Sequence, residues 1–116
     1  MKIPLAFTLF GQRIVVTWRD DLIEKEGAGG LARMTRNEIE LQNQNCASLK
    51  RPRSLSEKTF LHEMLHLIFH FLGEDELRDN EVLVDRMALL LHQALTTAEY
   101  EETEDGDKWY SPLMGG

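Results

Sequence analysis

The chain has 116 residues, with 13 Lys+Arg, 20 Asp+Glu, four His and one Cys, a length that suits one domain with its own core and is too short for two. A hydrophobic share of 42% and a charged share of 28% are ordinary for a soluble globular protein and exclude a collagenous, disulfide-rich or wholly disordered chain. The formal charge of −7 is uneven: residues 99–116 hold six acids against one base, while the rest is near neutral, so the clustered positive charge of a general nucleic-acid binder is missing.

Residues 3–10 alternate, with Ile3, Leu5, Phe7 and Leu9 expected on one side, and residues 13–18 are β-branched and aromatic. With a turn at Gly11-Gln12 they read as a β-hairpin, and Pro4 suits the start or edge of its first strand. The polar stretch 19–30 ends in Gly27-Ala28-Gly29-Gly30 and reads as a loop with a weak helical turn near Asp21–Glu26. A second hairpin follows, Leu31–Met34 and Glu38–Leu41 about a turn at Thr35-Arg36-Asn37. Residues 43–53 read as a polar, basic connector whose Lys50-Arg51-Pro52-Arg53 run is a solvated loop. Cys46 has no internal disulfide partner, and no apolar run is long enough to span a bilayer. With no secretory h-region after Met1, a cytoplasmic setting and no membrane partner are expected.

The pattern then turns helical. Ser54-Leu55-Ser56-Glu57 matches a capping box, and no breaker intervenes before Gly73, so a helix is predicted over about 55–72. Its apolar residues surround most of the circumference, which predicts a central, buried helix. A second helix, over about 75–98, carries Leu77, Val84, Ala88, Leu91 and Leu95 at helical spacing and is expected to run back antiparallel. Together these elements predict an α+β fold: a small antiparallel sheet of two hairpins on a buried helix and its antiparallel neighbour. Residues 1–98 would form this single domain, and 99–116 a flexible acidic tail.

The buried helix contains His62-Glu63-Met64-Leu65-His66. Residues four apart on a helix differ by about 40° in azimuth and about 6 Å in height, so both imidazoles can reach one Zn²⁺. Glu63, offset by one position, falls beside the metal, where a general base can take a proton from water. A catalytic zinc wants a third protein ligand, and the candidates are His70, Glu74, Asp75, Glu76, Asp79, Glu81, Asp85 and His92. His70 lies about 12 Å along the axis from His62, too far to converge on one unbroken helix. Glu81 is six residues into the expected second helix and returns to the level of His66, while Asp85, one turn on, can accept the free ring N–H of a ligand histidine. His92, about 16 Å further down than Glu81, is expected to be structural.

His62-Glu63-x-x-His66 followed by Asn80-Glu81-x-x-x-Asp85 resembles the gluzincin type of zincin metallopeptidase, and the layout is similar to ImmA/IrrE-type peptidases and related small phage and prophage proteins. The resemblance implies zinc held by His62, His66 and Glu81, with Asp85 behind a ligand histidine and Glu63 as general base in peptide-bond hydrolysis. The expected partner is a peptide or protein, added as a strand beside Glu38–Leu41. Tyr100 and Tyr110 are candidate oxyanion donors if the tail folds over the cleft. A second reading from another class is a non-catalytic or latent zinc-stabilised interaction or regulatory module of phage or prophage type. The number of protein ligands separates the two, because structural zinc sites are closed by four.

Overall fold

The computed structural model describes residues 1–46 and 49–101. Two hairpins do form. Strand β1 (Ala6–Leu9) pairs antiparallel with β2 (Gln12–Arg19), and β3 (Gly30–Arg33) pairs antiparallel with β4 (Glu38–Gln42). The first turn falls on Phe10-Gly11, one residue earlier than expected, and both have positive φ (48° and 72°), which suits the right-handed twist of a two-residue hairpin. Asn37, also left-handed, closes the 3₁₀ turn Met34–Arg36 before β4.

The sheet is mixed rather than purely antiparallel. Its strand order is β1-β2-β4-β3, and β2 pairs parallel with β4 over Val15–Arg19 and Glu38–Gln42. The crossover between them contains α1 (Leu22–Glu26), which stands where only a weak turn was expected. Gln42 fastens α1 to β4: its Oε1 accepts from Ile23 N at 2.9 Å and its Nε2 donates to Asp20 O at 2.8 Å. Along β2, Ile14 and Val16 point into the core, where Ile39 and Leu41 of β4 join them. Ile3, Phe7 and Leu9 pack against that core, but Leu5, expected beside them, is 83% exposed. The connector contains two short paired strands, β5 (Asn45–Cys46) and β6 (Leu49–Lys50).

Helix α2 (Arg53–Leu72) packs against β3 and β4 and also against the helices that follow. Phe60, Leu61, Leu65, Leu67 and Phe69 supply its buried apolar side chains. The helix starts two residues before the expected position, with extended Pro52 as N-cap, and the capping box does not form. Glu57 turns instead into the interface with the next long helix, where its Oε1 lies 2.7 Å from His92 Nε2. At the other end Gly73, at φ 74°, donates to His70 O while Glu74 N donates to Phe69 O, the Schellman pattern that only a left-handed residue permits cheaply.

The expected second helix is two helices. A single turn, α3 (Asp75–Arg78), ends at Asp79-Asn80, and α4 (Glu81–Thr97) starts afresh. Asn80 is its N-cap, with the side-chain oxygen accepting from Leu83 N at 3.0 Å. Val84, Ala88 and His92 face inward at four-residue spacing. The pairs Glu57–His92 and His62–Asp85 fix α4 as antiparallel to α2. Of the expected acidic tail, Glu99, Tyr100 and Glu101 are exposed and without regular structure, and residues 102–116, with Tyr110, lie outside the described residues.

Candidate metal centre

His62 and His66 project from one face of α2 with ring centroids 4.8 Å apart and their Nε2 atoms 3.1 Å apart. Glu81 closes a triangle: Oε2 lies 3.0 Å from His62 Nε2 and Oε1 lies 2.9 Å from His66 Nε2. The route differs from the one expected. Glu81 is the first residue of α4, delivered by the break at Asp79-Asn80, and is not six residues inside a continuous helix.

These three donors, all within 4.8 Å of one another, can hold a metal ion. Donors bound at about 2.0–2.1 Å to a tetrahedral zinc lie roughly 3.3 Å apart, close to the 3.1 Å between the two Nε2 atoms and to the contact that each makes with one of the Glu81 oxygens. The imidazoles are largely buried and the Glu81 side chain is 67% exposed, so the triangle faces solvent on its carboxylate side. Asp85 Oδ1 stands 3.4 Å from His62 Nδ1, on the far side of that ring from Glu81. His70 is outside the group and stacks edge-on against Phe71 at 5.5 Å, and His92 pairs with Glu57.

Glu63 is buried beside the triangle. Burial is the largest influence on its carboxyl and pushes it up to about 7; His62 opposes that rise, Glu81 adds to it, and a backbone hydrogen bond with Ala32 opposes it. Gly30 explains how β3 comes so close. A Cβ there would lie 2.5 Å from Thr59 Cγ2 and 3.1 Å from Glu63 Cγ, so a side chain at this position would push strand and helix apart.

The site opens into a cleft of about 660 Å³, bounded by β3 and the Gly29 approach to it on one side and by α2 and α4 on the other. Glu38–Leu41, expected to offer a free strand edge, does not: β4 is interior, with β2 on one side and β3 on the other. The edge strand beside the motif helix is β3. Tyr100 is 79% exposed and does not line the cleft.

A family model described as the SprT-like family matches residues 5–81. The chain belongs to the SprT-like family. The match runs from just before β1 to Glu81, and so takes in the whole sheet, the motif helix and all three candidate ligands; Asp85 and His92 lie beyond it. SprT-like proteins are a zinc-metallopeptidase-like family, which agrees with the zincin character read from His62-Glu63-x-x-His66. No curated protein and no solved structure matches this SprT-like chain.

Gly30, Ala32 and the β3 edge belong to the site without having been singled out in the sequence. The Gly29-Gly30 doublet was the available signal, since paired glycines mark close backbone approach as well as loops.

Proposed function

We propose that this chain is a zinc-dependent metallopeptidase of the gluzincin ligand type, acting on a peptide or protein in the cytoplasm. The observation that carries this reading is the convergence of His62, His66 and Glu81 beside the buried carboxyl of Glu63, in a cleft with a strand edge along one wall. Among the described residues the group offers three ligands and no fourth, which favours an open catalytic site over a closed structural one.

Held by His62, His66 and Glu81, a zinc ion would lower the pKa of a water and polarise the scissile carbonyl. Glu63 takes a proton from the water that attacks the carbonyl carbon and delivers it to the amine nitrogen as the C–N bond breaks. Burial raises the Glu63 carboxyl above its ordinary value, which strengthens it as a proton acceptor. Asp85 orients His62 through Nδ1 and keeps Nε2 free for the metal. The substrate lies extended along β3, using edge groups that β4 leaves unpaired.

The test is metal analysis combined with cleavage of a proteome-derived peptide library read by mass spectrometry. About one zinc per chain is expected, with cleavage abolished both by a chelator and by Glu63→Gln, and with zinc retained in that variant. A chain purified without chelator that carries no metal, or a Glu63→Gln variant that still cleaves, would overturn the reading.

A further inference from the structure

The cleft continues past the metal triangle toward the start of α2, and the hydrolytic scheme leaves that end unused. Of the exposed large apolar side chains among the described residues, Leu55 and Leu89 are the two that line the cleft, at 41% and 52% exposure. Leu55 lies seven residues before His62, two turns and about 10 Å along α2. Between them Thr59, one turn before Glu63, donates its hydroxyl to Leu55 O at 2.9 Å, so its proton is used within the helix. On α4, Leu89 is one turn past Asp85, about 6 Å further along. Because α4 runs antiparallel to α2, that step leads toward Leu55 and brings Leu89 to the level of Thr59.

Single exposed leucines are ordinary, but these two converge on one concave wall that is continuous with His62, Glu63 and Glu81. Ala28 and Gly29 lie on the opposite wall, and neither carries more than a methyl group, so room is left facing the leucines. Lys58 is the charged residue lining this end; its carbon stem can lie along the apolar wall while the ammonium stays in water. A peptide laid along the free edge of β3 advances about 3.3 Å per residue and turns alternate side chains toward the helices. Two residues, roughly 6.6 Å, therefore carry it from the level of His62 to that of Leu89.

We infer that Leu55 and Leu89 form a subsite for an apolar side chain of the bound peptide, about two residues from the bond that Glu63 serves. An apolar guest there takes itself and two half-exposed leucines out of water together, whereas an amide guest would lose water for no partner. Which bond is cut rests on the peptidase reading, but the selection is a binding property and is measurable without turnover.

The experiment uses the full chain carrying Glu63→Gln and loaded with zinc. Fluorescein-labelled octapeptides of Ser, Thr and Gln with one central guest residue, Leu, Asn or Glu, are titrated and read by anisotropy. The Leu peptide is expected to bind about tenfold tighter than the nearly isosteric Asn peptide, the scale of a partly buried leucine side chain. Adding Leu55→Ser and Leu89→Ser together should bring that ratio to within about twofold of one with zinc content unchanged, and Leu89→Ser alone should lower it by about threefold. Both positions are exposed, so the fold is expected to hold. Leu90→Ser, on the same helix but outside the cleft, should leave the ratio as it was. Equal binding of the Leu and Asn peptides, an unchanged ratio in the folded double variant, an equal loss in Leu90→Ser, or no binding of any peptide overturns the inference. Tightest binding of the Glu peptide overturns it in favour of Lys58. Self-association in sedimentation that Leu89→Ser abolishes, with no Leu preference, overturns it in favour of a second copy of the chain. Cleavage by the wild-type chain with no apolar preference near the cut sinks this inference alone. A Leu preference that depends on Leu55 and Leu89, without hydrolysis of any peptide, sinks the peptidase reading alone.

Discussion

His92 Nε2 lies 2.7 Å from Glu57 Oε1, a buried contact that joins residues 35 apart and ties α4 to α2 at the end away from the metal triangle. Because His92 and Glu81 lie on one continuous helix, this contact helps fix the register that sets Glu81 against His62 and His66. His92→Ala is expected to leave the Glu57 carboxylate buried with one partner fewer and to cost about 1–3 kcal/mol. Urea denaturation of the metal-free protein measures it; an unchanged midpoint would mean that the pair contributes nothing to the helix packing.

The triangle itself predicts an order of metal affinities. Glu81→Ala should weaken zinc far more than His70→Ala, and Asp85→Asn should weaken it by about tenfold, the usual scale for a partner of a ligand histidine. Competition titration against a chromogenic chelator reads all three. Because binding is linked to folding, zinc removal should also lower the Tm. Equal losses in Glu81→Ala and His70→Ala would reassign the third ligand.

Gly30→Ala places a methyl 2.5 Å from Thr59 Cγ2 and 3.1 Å from Glu63 Cγ. Strand β3 must then move off α2, at a cost of about 1–3 kcal/mol. Peptide cleavage should fall while zinc content holds, since Glu63 and the β3 edge shift and the ligand triangle does not. Wild-type Tm and rate in the variant would show that β3 approaches the helix less closely than described.

Glu40, on the interior strand β4, supports a pH prediction. Burial alone would raise its carboxyl, but the guanidinium groups of Arg33 and Arg19 outweigh burial and hold it below the ordinary glutamate value of 4.5. The folded state thus releases this proton more readily than the unfolded chain. The resulting stability is present above about 4.5 and is lost as pH falls through the lower folded value. Glu40→Gln should flatten the acid limb of a stability–pH curve, leaving the part due to Glu57, whose carboxyl is also held low. An unaltered acid limb would remove Glu40 as its source.

Local chemistry was legible along the chain wherever neighbours in sequence decide the outcome. The two hairpins, the long helix stopped by Gly73 and the shared face of His62 and His66 follow from period, turn residues and i,i+4 geometry. Glu81 was singled out on the premise of one continuous second helix, whereas the break at Asp79-Asn80 is what sets it beside His62 and His66. The capping box misled, since Ser54 and Glu57 satisfy the local pattern equally well whether or not Glu57 has a better partner in His92. No local signal marks that partner, which is 35 residues away.

What the sequence by itself determined is therefore the two hairpins, the long helix and the ligand-bearing face of α2. What only the tertiary structure decided is which segments meet: the parallel pairing of β2 with β4, and β3 as the edge beside Glu63. The reason is physical. Backbone dihedrals and side-chain period act over a few residues and can be read in order, whereas strand partnership and the pairing of buried charge are settled by packing between segments far apart in the chain.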